Sequence, residues 1–238
     1  MRPTLFLPVL MLVGGLFAGA VRAASLEVSP VRVTLTQGET ATTIEVTNHG
    51  DAPTAVQARL YRWTQAGDED VLTPTADVIV SPPIFTLPDG GSQTMRLLLR
   101  GSNSASGERS YRLLLDEVPP ANAGNRLIAF TLHMSLPVFV GAVLSARPTL
   151  QWRAERGAGR AITLTATNAS PAYNKVSDID VTLSDGSHPK VVPHATNPYV
   201  LSGDERHWLV QSHDNGPGGP LHLSVTSLTG KSELTLTP

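Results

Sequence analysis

Apolar and polar residues alternate with a period of two along most of the chain. Ile44 and Val46 alternate with Glu45 and Thr47, and Val56, Ala58 and Leu60 alternate with Gln57 and Arg59. Met95, Leu97 and Leu99 repeat the spacing, as do Tyr111, Leu113 and Leu115, where Leu114 breaks the rule. This period predicts strands with one buried face. Turn signals part the runs: Gln37-Gly38-Glu39, Asn48-His49-Gly50-Asp51, Pro88-Asp89-Gly90-Gly91 and Ser102-Asn103. Near residue 141 the pattern resets. A second series carries Leu150/Trp152, Ile162/Leu164/Ala166, Ile179/Val181/Leu183, Trp208/Val210, Leu221/Leu223/Val225 and Leu234/Leu236. Short strands at such spacing predict an all-β chain of two immunoglobulin-like β-sandwich domains. The expected boundaries are 24–140 for the first domain, 141–149 for a linker and 150–238 for the second. No sequence repeat relates the halves.

One run stands apart. From Arg126 to Val140 every even position from 128 onward is a large apolar residue: Ile128, Phe130, Leu132, Met134, Leu136, Val138 and Val140. At about 3.3 Å per residue, a 15-residue strand is roughly 45–50 Å long, more than one small sandwich covers. Two explanations stand open. The strand crosses from one domain into the next and buries its even face in the first core. Alternatively it lies at a sheet edge and offers its apolar row to a partner, because long apolar edges recruit other chains and are otherwise avoided.

The N-terminus sets the compartment. Arg2, an apolar run from Leu5 to Ala20 and the small-residue site Val21-Arg22-Ala23 read as a secretory signal (residues 1–23) cut after Ala23. Gly14, Gly15 and Gly19 interrupt the run, which is short for a membrane span, so no membrane insertion is expected after cleavage. The full chain has 238 residues and a net charge of −2. Removing Arg2 and Arg22 leaves 16 basic against 20 acidic residues, a net −4, so no nucleic-acid partner is expected of a chain that is not strongly basic. There is no cysteine, which excludes a disulfide scaffold, thiolate metal sites and a cysteine nucleophile. The 20 Gly and 19 Pro are spread without a period, as turn residues are.

Other constellations carry no chemistry. The seven His residues form no H-x-H, H-x-x-x-H or H-E-x-x-H spacing, so no metal and no cofactor is expected, and the five in the second half read as surface residues. Thr229-Gly230-Lys231-Ser232 lacks the first glycine of a phosphate loop, and no G-x-S-x-G elbow occurs. Asp68-Glu69-Asp70 reads as a solvated turn, Asn168-Ala169-Ser170 as a turn, and Trp63, Trp152 and Trp208 as core anchors. An enzyme is not expected.

Ordered stretches of the first half resemble the periplasmic chaperones of pilus and fimbria assembly, of the chaperone–usher type. Ser25 to Val33 followed by Gly38-Glu39 is similar to that family's first strand and turn, and Ile44 to Asn48 to its second strand. Ser81-Pro82-Pro83 through Leu87-Pro88-Asp89-Gly90 to Gln93 and Arg96 resembles its "PP…L-P-G-…-Q-…-R" stretch, and Glu108 to Pro120 its "E-…-Y-…-L-…-E-[IV]-P" strand. The second half matches mainly at Thr167 to Tyr173.

The resemblance implies two immunoglobulin-like domains set at an angle around a cleft. It implies pilin subunits completed by the alternating strand, with Ile128, Phe130, Leu132, Met134 and Leu136 as donors, and delivery to an outer-membrane usher. It also implies a basic anchor for the subunit's terminal carboxylate. Arg32 matches the first-strand arginine, and a guanidinium suits a carboxylate bidentately. The second cation, a lysine late in the strand, is missing at Ser135-Leu136-Pro137, which leaves Arg112, Arg126 or His133 to substitute or Arg32 to act alone. These departures, and the short connection from Pro119 to Asn125, are similar to the divergent archaic branch. The apolar strand also gives the free protein a reason to self-associate. The rival reading is a secreted structural or adhesive sandwich protein without chaperone activity.

Overall fold

The computed structural model describes residues 26–101, 103, 107–119, 131–142, 147–157, 161–211 and 219–238. Every regular element among them is a strand, and eighteen strands form four sheets.

In the first half, β1 (Leu26–Ser29), β3 (Ala41–Asn48), β8 (Ser92–Leu99) and β6 (Val78–Ser81) make a four-stranded sheet in that order. The facing sheet runs β2 (Val33–Thr36), β10 (His133–Ala142), β9 (Arg109–Val118), β4 (Thr54–Ala66) and β5 (Glu69–Pro74), with β7 (Ile84–Leu87) also on β4. The alternation seen in sequence is the burial pattern: Ile44, Val46, Val56, Met95, Leu97, Tyr111, Leu113 and Leu115 line one core between these sheets.

The second half repeats the plan. One sheet is β11 (Gln151–Arg156), β12 (Ile162–Thr167), β16 (Glu205–Gln211) and β14 (Lys190–Pro193). The other is β15 (Tyr199–Val200), β13 (Asn174–Thr182), β17 (Leu221–Ser227) and β18 (Gly230–Leu236). Leu164, Val181, Val210, Leu223 and Val225 fill its core. Trp208 belongs to this core with Trp152 5.2 Å away, whereas Trp63 joins a third cluster between the two sandwiches.

The halves share a corner that sequence comparison passed over. β3 ends at Thr47-Asn48 and β12 leads through Thr167 into Asn168, each with Ala four residues on: Asn48 with Ala52, and Asn168 with Ala172. Both asparagines are fully buried. Asn48 Nδ2 donates to Ala52 O (2.8 Å) and Pro88 O (3.1 Å), while its Oδ1 accepts from Gly50 N. Asn168 Nδ2 donates to Ala172 O and Val200 O, both at 2.9 Å, and its Oδ1 accepts from Ser170 N. A buried amide is tolerated only with its bonds made, and here each pins a strand end to two other points of the chain. Asn168 is thus a buried corner residue of the turn expected at Asn168-Ala169-Ser170.

Candidate functional site

Of the expected strand from Arg126 to Val140, the described residues begin at 131. β10 begins at His133 and runs to Ala142, two residues past the expected end; Ile128 and Phe130 lie outside the described residues. On one side β10 pairs antiparallel with β9, from His133↔Asp116 to Val140↔Arg109. On the other it pairs parallel with β2, but only from Val138↔Val33 onward. Residues 133–137 therefore have a ladder on one edge and, among the described residues, none on the other. Gly141, at φ +80, ends the run with a register shift between Val140 and Ala142. A Cβ there would come within 3.1 Å of Gly107 O.

Along this strand burial is graded. Leu132 and Met134 are half-buried, with Met134 against the first core. Leu136 is 5% exposed and belongs to that core with Val138 and Val140. The odd residues face the other way. His133 is held by Asp116, which also accepts from Arg59 Nη2 (2.7 Å). Burial pushes the Asp116 carboxyl up, but hydrogen bonds from Arg59 and His133 and the charges of both outweigh it, so it sits below its ordinary value.

Arg32 lies in the connection from β1 to β2, one residue before the Val33↔Val138 pair. The register therefore sets it beside the point where the open edge of β10 ends. Its side chain is exposed, and Nη1 donates to the Tyr173 hydroxyl of the second half at 3.1 Å. Arg112 lies one strand away but is 8% exposed. Its guanidinium stacks 3.7 Å from the Trp63 ring centre, with Asp70 at 3.8 Å and the Tyr199 ring at 5.5 Å. Burial pulls it below its ordinary value against the opposing charge of Asp70. Arg32 can meet a ligand; Arg112 is occupied in holding the molecule together.

Arg112 belongs to the contact between the sandwiches. Phe139 of β10 stacks on Tyr173 (3.8 Å, 10° between planes), and Trp63, Tyr199 and Leu201 complete the cluster. The hairpin from β4 to β5 turns at Gly67-Asp68, with Gly67 at φ +60, and reaches into the second half. Here the expectation of a solvated acidic turn fails. Asp70 pairs with Arg206, which is 1% exposed and also donates to Gly67 O (2.8 Å). Asp68 accepts from His207 N (2.9 Å) and lies 3.0 Å from His207 Nδ1, so His207 is no surface-loop histidine either. Gln65 closes the seam by donating to Tyr199 O and accepting from Leu201 N, both at 3.0 Å. Glu108 accepts from Tyr173 N at 2.9 Å, and burial pushes its carboxyl up to about 7 despite that bond. Sequence reasoning missed this seam. The signal it held was Gly67-Asp68 at the tip of a 13-residue strand, longer than its sheet needs.

Residues 25–141 match the family described as "Pili and flagellar-assembly chaperone, PapD N-terminal domain". The chain belongs to the pilus-assembly chaperones. This family is one of chaperones rather than a known class of enzyme. A related chaperone protein, FimB/FhaD of Bordetella pertussis, is 26% identical over 198 residues, covering 76% of this chaperone and 77% of the relative. Solved structures share the two-sandwich fold. A chain of the CsuC–CsuE chaperone–tip adhesion subunit pre-assembly complex, from archaic chaperone-usher Csu pili of Acinetobacter baumannii, matches with a TM-score of 0.65 and 22% identity. The match covers 90% of this chaperone and 99% of that chain. The E. coli chaperone DraB gives 0.61 at 20% identity, covering 90% and 97%. A chain of the Salmonella enterica SafA pilin–SafB chaperone complex gives 0.60 at 19%, covering 92% and 99%.

Proposed function

We propose that this chaperone captures pilus subunits in the periplasm by adding β10 to an incomplete subunit sandwich and then hands them to an outer-membrane usher. The observation that carries the reading is the open edge at residues 133–137, next to the apolar row of Leu132 and Met134, in a chain of this family. An added strand would find backbone groups for its ladder and alternate side chains for its pockets. The family match argues against a purely structural or adhesive sandwich.

Arg32 supports the register. Because β2 is parallel to β10, a strand laid along residues 133–137 and ending at Arg32 with its carboxylate also runs parallel to β10. Ile128 and Phe130 extend the donor row, and Leu136 is its inner end, shared with the chaperone's own core. Arg32 is the anchor, since Arg112 is committed to Trp63 and Asp70. The missing second cation is in keeping with an archaic-type member. The signal segment 1–23 delivers the chain to the periplasm, and N-terminal sequencing of the periplasmic form checks cleavage after Ala23.

The test is co-expression with a subunit gene from the same cluster and isolation of a one-to-one complex. Leu132→Asp abolishes recovery while thermal unfolding of the free chaperone stays within about 1 kcal/mol of wild type, because the side chain is only half-buried. Full recovery with Leu132→Asp would exclude strand donation.

A further inference from the structure

We infer that the Tyr173 hydroxyl is the second donor of the carboxylate site at Arg32, in place of a second cation. This rests on the reading of Arg32 as the anchor for a subunit's terminal carboxylate.

The geometry starts from the hydroxyl. Its oxygen accepts from Arg32 Nη1 at 3.1 Å, and among the described residues its own hydrogen is donated to nothing. A phenol that accepts from a guanidinium has its O–H polarised toward a further acceptor beside that guanidinium. The acceptor that both donors fit is anionic, because Arg32 forms no ion pair with a carboxylate among the described residues and keeps other N–H groups to offer.

The hydroxyl is also fixed in place. The Tyr173 ring is 8% exposed and stacks on Phe139 at 3.8 Å, and Tyr173 N donates to Glu108. Phe139 is three residues past Leu136 on β10, so the strand that offers the edge also positions the donor at its end. Burial raises the Tyr173 pKa above its ordinary value, which Arg32 partly opposes; the group therefore remains a donor at neutral pH. No other cation is needed: one guanidinium and one phenol can each take one carboxylate oxygen.

The test uses a short synthetic peptide of alternating apolar and polar residues, made once with a free C-terminal carboxylate and once as the amide. Binding is measured by calorimetry to wild type, Arg32→Ala and Tyr173→Phe. The phenylalanine keeps the stack on Phe139, so unchanged thermal unfolding checks the fold. The expected result is that wild type prefers the acid over the amide. Tyr173→Phe then weakens the acid about 10- to 100-fold, as loss of a hydrogen bond to a charged group does, and leaves the amide unchanged. If Arg32→Ala removes the preference for the acid but Tyr173→Phe binds as wild type, the hydroxyl has no part and the Arg32 anchor stands. Equal weakening of acid and amide by Tyr173→Phe assigns the residue a packing role and overturns the inference. A wild type that does not prefer the acid overturns the Arg32 reading, and this inference with it.

Discussion

The two ends of β10 are built for different purposes. At its leading end, His133, Met134 and Ser135, with Leu132 just ahead of them, are half-buried or exposed and hydrogen-bonded on one edge. At its trailing end, Leu136, Val138, Phe139 and Val140 are buried, and from Val138 onward the strand is flanked on both sides. The same alternation writes both ends. What differs is β2, which reaches only to Val138 and leaves the rest of the strand for another chain to complete. An edge of this kind is an aggregation hazard in a free protein. Here it is kept short by firm burial of the other half.

That contrast can be broken by substitution. Phe139→Ala removes the ring that joins the sandwiches and costs about 3–5 kcal/mol; chemical denaturation would show it as a lower midpoint. Leu136→Ala, at the hinge between the two ends, costs about 2–5 kcal/mol by the same assay and also weakens subunit capture. Arg206→Ala, in the seam that Phe139 helps to close, costs about 1–3 kcal/mol, because Asp70 keeps Asn197 and Arg112 as partners. Met134→Ala changes stability by less than about 1 kcal/mol, but lowers recovery of the subunit complex. Equal loss of stability from Met134→Ala and Phe139→Ala would erase the distinction between the ends.

A pH series sharpens it further. The Glu108 carboxyl, near 7 in the folded chain against 4.5 ordinarily, holds a proton that the unfolded chain has lost in that range. Folding therefore takes up a proton between about pH 4.5 and 7, and the stability from this group falls as pH rises through that window. Glu108→Gln flattens this part of the curve of melting temperature against pH. No change in slope would remove Glu108 from the seam.

The sandwiches were legible because burial against a sheet forces a period of two, which Ile44/Val46 and Leu221/Leu223/Val225 display openly. The apolar row of β10 was legible for the same reason. Its division into two ends was not, since Leu132 and Leu136 are the same residue type and only burial against the first core separates them. The seam was the least legible part. Asp68, Asp70 and His207 are polar residues of the kind that ordinarily face water, and their partners lie far along the chain: 136 positions from Asp70 to Arg206, 139 from Asp68 to His207. Arg112 and Arg32 are equal in sequence as cations beside the cleft. Only burial shows that one stacks on Trp63 while the other remains exposed.

The paired corners at Asn48 and Asn168 have a bearing on the absence of cysteine. Each sandwich is pinned, at the end of β3 or just after β12, by one amide bridging two separate chain segments, the work that a covalent cross-link does in many exported domains. Such a pin forms as soon as the segments meet, with no oxidant and no wrong pairing to undo. A chain fastened in this way carries no thiol to exchange with any partner.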